Sequence, residues 1–127
     1  MATIVDIDDT LLRNGTQPIH RTIDYINSLP GAIIIVTGRP ASTRRKTVEA
    51  LRAAGVKYSR LIMNPGSTRS SNEFKAEIAQ RLKGSVSLAI DNDAGARAAY
   101  SRAGIPTKNP ASLPDIKKFW TLPSDNK

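Results

Sequence analysis

The sequence predicts an α/β fold, a Rossmann-like, doubly wound, mainly parallel sheet flanked by helices, and three observations carry that prediction. Short runs rich in β-branched residues, Thr3 to Ile7, Ile33 to Val36 and Val86 to Ile90, have the continuous apolar character of strands buried on both faces. Segments with helical spacing of apolar residues lie between them, which suits parallel strands joined by right-handed crossovers. Each apolar run stops at polar or acidic residues, and in open parallel sheets ligands bind outside the carboxyl ends of the strands.

After the first run, Ile19, Ile23, Ile26 and Leu29 recur at near-helical spacing until Pro30-Gly31, so the stretch from Asn14 to Pro30 is expected to hold one helix. Thr37-Gly38-Arg39-Pro40 follows the second strand. Ala41 to Ala54 then carries Val48 and Leu51 among strong helix formers and stops at Gly55. Tyr58 to Met63 reads as a third strand, and Asn64 to Ser71 as a polar loop. Asn72 is the expected cap of the next helix, with Phe74, Ile78 and Leu82 on one face and Gly84 at its end. Val86 to Ile90 ends at Asp91-Asn92-Asp93, Ala94 to Ala103 is helical up to Gly104, and Ile105 to Lys108 starts a short edge strand. Residues 1–108 are thus expected to form the domain and 109–127 a tail. In the tail, prolines 110, 114 and 123 alternate with Leu113, Ile116, Phe119 and Trp120, which suits a short helix packing on the sheet flank. For Trp120 we favour core packing over stacking on a nucleic-acid base.

With 127 residues, 39% of them hydrophobic, the chain suits one domain with its own core. The absence of cysteine excludes disulfides and thiolate metal sites, and the single His20 excludes a multi-histidine zinc centre, which leaves oxygen ligands. No run approaches the ~20 apolar residues of a membrane span, and the first residues enter a strand rather than a signal core. The expectation is a soluble, cytoplasmic protein with no membrane association. Nineteen basic against eleven acidic residues give a net charge of +8, which favours polyanionic partners such as nucleic acid or nucleotides. The other reading of that charge is solubility alone. No protein partner is evident, nor any internal repeat.

The first strand runs directly into Asp6, Asp8, Asp9 and Thr10. Like charges a few ångströms apart raise one another's pKa unless a cation offsets them. Magnesium, a hard ion held by one or two carboxylates plus water and phosphate oxygens, is the cation such a cluster suits. An isolated DxDxT could equally be a strand meeting a polar turn. What decides is order: DxDxT after the first strand, Thr37 after the second, Lys75 on a later helix and Asp91 after the fourth.

This ordered set resembles the haloacid dehalogenase superfamily of aspartate-nucleophile phosphohydrolases. The matching residues are Asp6 and Asp8 in IVDIDDTLL, Thr37 in IIIVTGRP, Lys75 in SSNEFKAEIAQRL and Asp91 in LAIDNDAGARAAYSRAGIP, a span of roughly residues 3–108. The resemblance implies a magnesium-dependent phosphomonoesterase. Asp6 would be the nucleophile that forms a phosphoaspartate and Asp8 the general acid and base, while Thr37 and Lys75 would hold the transferring group. Magnesium would bind Asp6, the backbone carbonyl of Asp8, and Asp91. Many relatives pair two acids in the last motif; here either Asn92, through water, or Asp93 fills the second position. Asp9 receives no role.

Superfamily members often carry a cap domain, but the predicted helices already occupy Asn14 to Pro30 and Ala41 to Ser59. A capless domain with an open site is therefore expected. More narrowly, VTGRP, LIMNPGSTRSSNEFKAEIAQRL and the last motif are similar to the phosphatase domain of phage polynucleotide kinase/3′-phosphatases. That likeness implies a terminal phosphate on a nucleic-acid end or nucleotide as substrate, and a phage-encoded origin. Nothing matches GxxxxGK[ST], so no kinase activity is expected. Thr37, Gly38, Arg39, Arg44, Arg45 and Arg69 are the candidate anion contacts, arginine being suited to bidentate phosphate recognition. Three other readings stay open. One is a small-metabolite or nucleotide phosphatase, another a receiver-type domain with a persistent phosphoaspartate, and the third a catalytically degenerate nucleic-acid-binding domain.

Overall fold

The computed structural model describes residues 1–66 and 69–117. In chain order the elements are β1 (Ala2–Val5), β2 (Leu12–Arg13), β3 (Gln17–Pro18), α1 (His20–Asn27), β4 (Ile33–Pro40), α2 (Arg44–Ala53), β5 (Arg60–Asn64), α3 (Ser71–Leu82), β6 (Val86–Ile90), α4 (Ala94–Arg102) and β7 (Thr107–Lys108). Five of the strands form a parallel sheet in the order β5-β4-β1-β6-β7. The chain builds outward from β1 to β4 and β5, then returns to add β6 and β7 on the opposite side. Strand order therefore reverses around β1, the strand that leads to Asp6.

Alternation along the strands explains the two layers of helices. In β4, Ile33 and Ile35 face one core while Ile34 and Val36 face the other, and Val5 and Ile4 of β1 divide the same way. The first core receives Ile23 and Ile26 of α1 and Leu51 of α2; the second receives Phe74 and Ile78 of α3 and Ala96 and Tyr100 of α4. Both faces are covered, as the near-continuous apolar strands require. The fold is the expected Rossmann-like α/β sheet.

Local departures from the sequence expectation have identifiable causes. The stretch from Asn14 to Pro30 holds one helix, as expected, but the helix fills only its second part. The stretch begins with the β2–β3 hairpin, which turns through Asn14 (φ 52°) and Gly15 (φ 86°), and α1 starts only at His20. Asn-Gly accepts positive φ, and that turn signal outweighs the helical spacing farther on. Thr37 to Pro40 does not follow β4 but forms its last half, with a break in register to β5 between Thr37 and Pro40. Ser70, not Asn72, caps α3. Its hydroxyl accepts from the Glu73 N–H while Glu73 accepts from the Ser70 N–H, the reciprocal box that Ser-x-x-Glu encodes. Ala41–Thr43 is a 3-10 turn ahead of α2.

Beyond β7, Pro110–Ser112 forms another 3-10 turn and Leu113 is buried in the first core, where Arg21 of α1 donates to its carbonyl at 3.3 Å. The expectations for Phe119 and Trp120 lie outside the described residues. Among the described residues no helix is long and apolar enough to cross a membrane.

Candidate active site

The carboxyl ends of β1 and β6, the last half of β4 and the start of α3 surround an open cavity of about 550 Å³. Asp6, Asp8, Asp9, Gly38, Arg39, Lys75, Asp91, Asn92 and Asp93 all line it, together with Ser70, Ser71 and Asn72. Residues up to 87 positions apart thus meet because parallel strands deliver their ends to one edge.

At the floor, Lys75 Nζ donates to Asp6 Oδ1 at 2.9 Å and to Asp91 Oδ2 at 2.6 Å, and all three side chains are buried. Asp6 is fixed at the end of β1 by its N–H bond to the Ile90 carbonyl, and Asp91 at the end of β6 by its N–H bond to Lys108. Burial pushes the Asp6 carboxyl from 3.8 up to about 6; Lys75 draws it down and Asp91 pushes it up. Burial alone would lower the Lys75 ammonium, but Asp6 and Asp91 outweigh it and hold the group above its ordinary value. One cation thus faces two carboxylates, leaving an excess of negative charge. Thr10, the last residue of DxDxT, is fully buried here. Its hydroxyl donates to Asp6 Oδ2 at 3.1 Å and accepts the Asn92 N–H at 3.2 Å. The only sequence signal for it was its place in DxDxT.

At the rim, Asp8 is half exposed and gripped by Arg39, whose Nη2 and Nε donate to it at 2.8 and 3.1 Å. Arg39 Nη1 reaches Thr47 and Nη2 the Gly15 carbonyl, both at 3.2 Å, so the fork is anchored on three sides. Thr37, expected to contact the phosphoryl group, is fully buried and is not among the residues lining the cavity; its hydroxyl oxygen accepts the Arg39 N–H at 3.1 Å. Gly38 is a close approach: a Cβ there would stand 2.7 Å from Ser71 Cβ and collide with its hydroxyl. Glycine is what lets the first residue of α3 sit against β4.

The remaining candidates lie elsewhere. Arg44 turns to the Leu61 carbonyl, Arg45 pairs with Glu49 on an exposed face, and Arg69 pairs with Glu77; none of the three lines the cavity. Asp93 caps α4, accepting the Ala96 N–H at 2.9 Å and the Asn72 amide at 3.1 Å. Those bonds hold its carboxyl below the ordinary range.

Of the residues expected around magnesium, Asp6, Asp8, Asp91, Asn92 and Asp93 all line the cavity. Among the described residues no group of three or more acidic, histidine or cysteine side chains comes together to hold a metal. Asp8 and Asp93 direct their carboxylates to Arg39 and to the α4 cap. The oxygens near Asn92 nevertheless fit a hard cation. One terminal atom of its amide lies 3.0 Å from both the Asp8 main-chain oxygen and Asp6 Oδ2. As nitrogen it donates to both. As oxygen it stands from each of the two at close to the edge of an octahedron, which is about 3.0 Å for ligands about 2.1 Å from magnesium.

Residues 3–86 match the family model of the haloacid dehalogenase-like hydrolases. No curated protein matches the chain. Among solved structures, a chain of the Pnkp1/Rnl/Hen1 RNA repair complex shares the fold with a TM-score of 0.70 and 22% identity, over 85% of this chain and 41% of that one. A chain from another structure of the Pnkp1/Rnl/Hen1 complex gives 0.74 and 20%, over 85% and 45%. The present chain thus spans less than half the length of either.

Proposed function

The chain belongs to the haloacid dehalogenase-like hydrolases, and from that premise we propose that it is a magnesium-dependent phosphomonoesterase acting on the terminal phosphate of a nucleic-acid end or nucleotide. One observation carries the reading: a buried Asp6–Lys75–Asp91 group lies beneath an open cavity with Asp8 held at the rim. Asp6 attacks phosphorus in line, the bond to the leaving oxygen breaks, and a phosphoaspartate forms. Asp8 gives a proton to the leaving oxygen and then takes one from the water that cleaves the acyl phosphate. Lys75 keeps Asp6 oriented and balances charge as the phosphoryl group transfers. Asp6, the Asp8 carbonyl and Asn92, with Asp91 beside them, would hold magnesium, which supplies positive charge against an anionic substrate.

The net charge of +8 and the open, capless reading of the site favour phosphate on a large anion over an enclosed metabolite. The similar folds come from an RNA repair complex, so RNA ends belong beside DNA ends in the test. Phosphate release should be measured from 3′-phosphorylated RNA and DNA oligonucleotides, nucleoside monophosphates and sugar phosphates, with magnesium and with EDTA. Faster release from sugar phosphates sinks the nucleic-acid assignment. Turnover that survives Asp6→Asn sinks the mechanism. Asn92, where relatives often have an acid, favours the degenerate binding reading, which predicts oligonucleotide binding with no magnesium-dependent release.

A further inference from the structure

A second cavity of about 410 Å³ adjoins the first, with Asp9 and Asn92 lining both. Ile19, Arg21 and Thr22 of the α1 entry and Arg13 of the β2–β3 hairpin contribute to its wall. Two rules of local structure are broken there. The N-cap of α1 is Ile19, which has no polar atom to accept a first-turn N–H, and the first turn has no acidic residue. The positive end of the helix is left uncompensated. Independently, Thr22 in that turn is fully buried, and its hydroxyl has no hydrogen-bond partner among the described residues. A buried hydroxyl normally finds a partner, and this one stands unsatisfied in the cavity wall beside first-turn N–H groups that no capping side chain serves. The charges favour an anion: Arg13 has no ion pair among the described residues, Arg21 contributes only one bond to Leu113, and the opposing charge is Asp9.

We infer that this cavity is a second anion subsite, which takes the internucleotide phosphodiester adjacent to the terminal phosphate. First-turn N–H groups of α1 and the Arg13 and Arg21 forks bind its free oxygens, as helix N-termini and arginines bind phosphate elsewhere. The inference rests on the proposed reading of the first cavity, which it deepens by giving the substrate at least two phosphates.

Two measurements separate the subsite from that reading. The first uses a dinucleoside monophosphate, which has one internal phosphodiester and no terminal phosphate, titrated into the 15N-labelled chain. Amide shifts at residues 20–22 that vanish in Arg13→Ala support the subsite whether or not the protein turns over any substrate. Shifts confined to the Lys75 cavity, or shifts at 20–22 produced by inorganic phosphate but not by the dinucleotide, overturn it. The second compares kcat/KM for a 3′-phosphorylated dinucleotide and a nucleoside 3′-monophosphate. Arg13→Ala should weaken the first about tenfold relative to the second, because a charged hydrogen bond to phosphate is lost. Equal effects on the two substrates, or none, overturn the inference. Arg21→Lys serves as the second variant, since it retains the charge and a donor for the Leu113 carbonyl while losing the fork. It should give a smaller change in the same ratio, and no change counts against the subsite.

Discussion

Replacing Lys75 with methionine keeps the length of the stem and removes the charge. Lys75 Nζ stands 2.9 Å from Asp6 and 2.6 Å from Asp91, and none of the three side chains is more than 7% exposed. Deleting one partner of such a group leaves buried charge without compensation, which costs about 3–5 kcal/mol. The loss should depend on pH. The Asp6 carboxyl already sits at about 6 with Lys75 drawing it down, so it rises further in the variant. At pH 5 Asp6 is then mostly protonated in both proteins, and only the Asp91 pairing is lost. We expect a loss of about 4 kcal/mol at pH 8 and roughly half of that at pH 5. A domain of this size has on the order of 5–15 kcal/mol of stability, so the variant should stay folded at both. Urea unfolding followed by circular dichroism in EDTA measures each value. Equal losses at the two pH values, or a loss under about 1 kcal/mol at pH 8, would refute a buried charge-balancing role. Adding Asp6→Asn to the variant should recover part of the loss at pH 8 and little at pH 5.

In EDTA the Asp6 carboxyl should titrate near 6 by 13C NMR, and magnesium should move it down; a midpoint near 4 in EDTA would contradict the burial argument. Because this carboxyl is raised on folding, the native state binds more protons than the unfolded chain between about pH 4 and 6. Its contribution to stability therefore falls by roughly 3 kcal/mol as pH rises through that window, and Asp6→Asn should abolish that slope. Lys75 is also raised, so its contribution holds below its ordinary 10.5 and is lost only as pH climbs through the higher folded value. Gly38→Ala should destabilise by about 1–3 kcal/mol through collision with Ser71, and Ser71→Gly in the same chain should relieve it. If Ser71→Gly gives no relief, the close approach is not what requires glycine. Arg39→Lys loses the two-pronged grip on Asp8 and should lower kcat about 10- to 100-fold in the phosphatase assay; an unchanged kcat would remove Arg39 from the positioning of Asp8.

The sheet was legible because its strands are short apolar runs with sharp polar ends, and β6 has the predicted bounds. The topology then brought Asp6, Lys75 and Asp91 together, as the order of motifs implied. What could not be read was side-chain direction. Arg39 and Arg44 stand five residues apart with equal claim to an anion, yet β4 sends one to Asp8 and α2 sends the other to the Leu61 carbonyl. Asp93 looked like a metal ligand because it follows a strand, whereas it also precedes a helix, and the cap claimed it. The hairpin at Asn14-Gly15 has a turn signal in the sequence, but its strands are two residues each and too short to show an alternating pattern.

The contacts of Lys75 also bear on how α3 is aligned with the sheet. The second core, into which α3 packs, is mostly aliphatic, with Val36 and Ala89 opposite Ile78 and with Phe74 and Tyr100 as its aromatic members, and non-directional apolar contact selects a helix position less sharply than paired charges do. A displaced α3 would strand the ammonium away from both carboxylates and leave three charges buried without partners. The Asp6–Lys75–Asp91 group therefore acts as an alignment pin that excludes neighbouring registers. By the same reasoning, changes among the buried apolar residues of α3 should cost packing energy without moving the helix, provided the pin is kept.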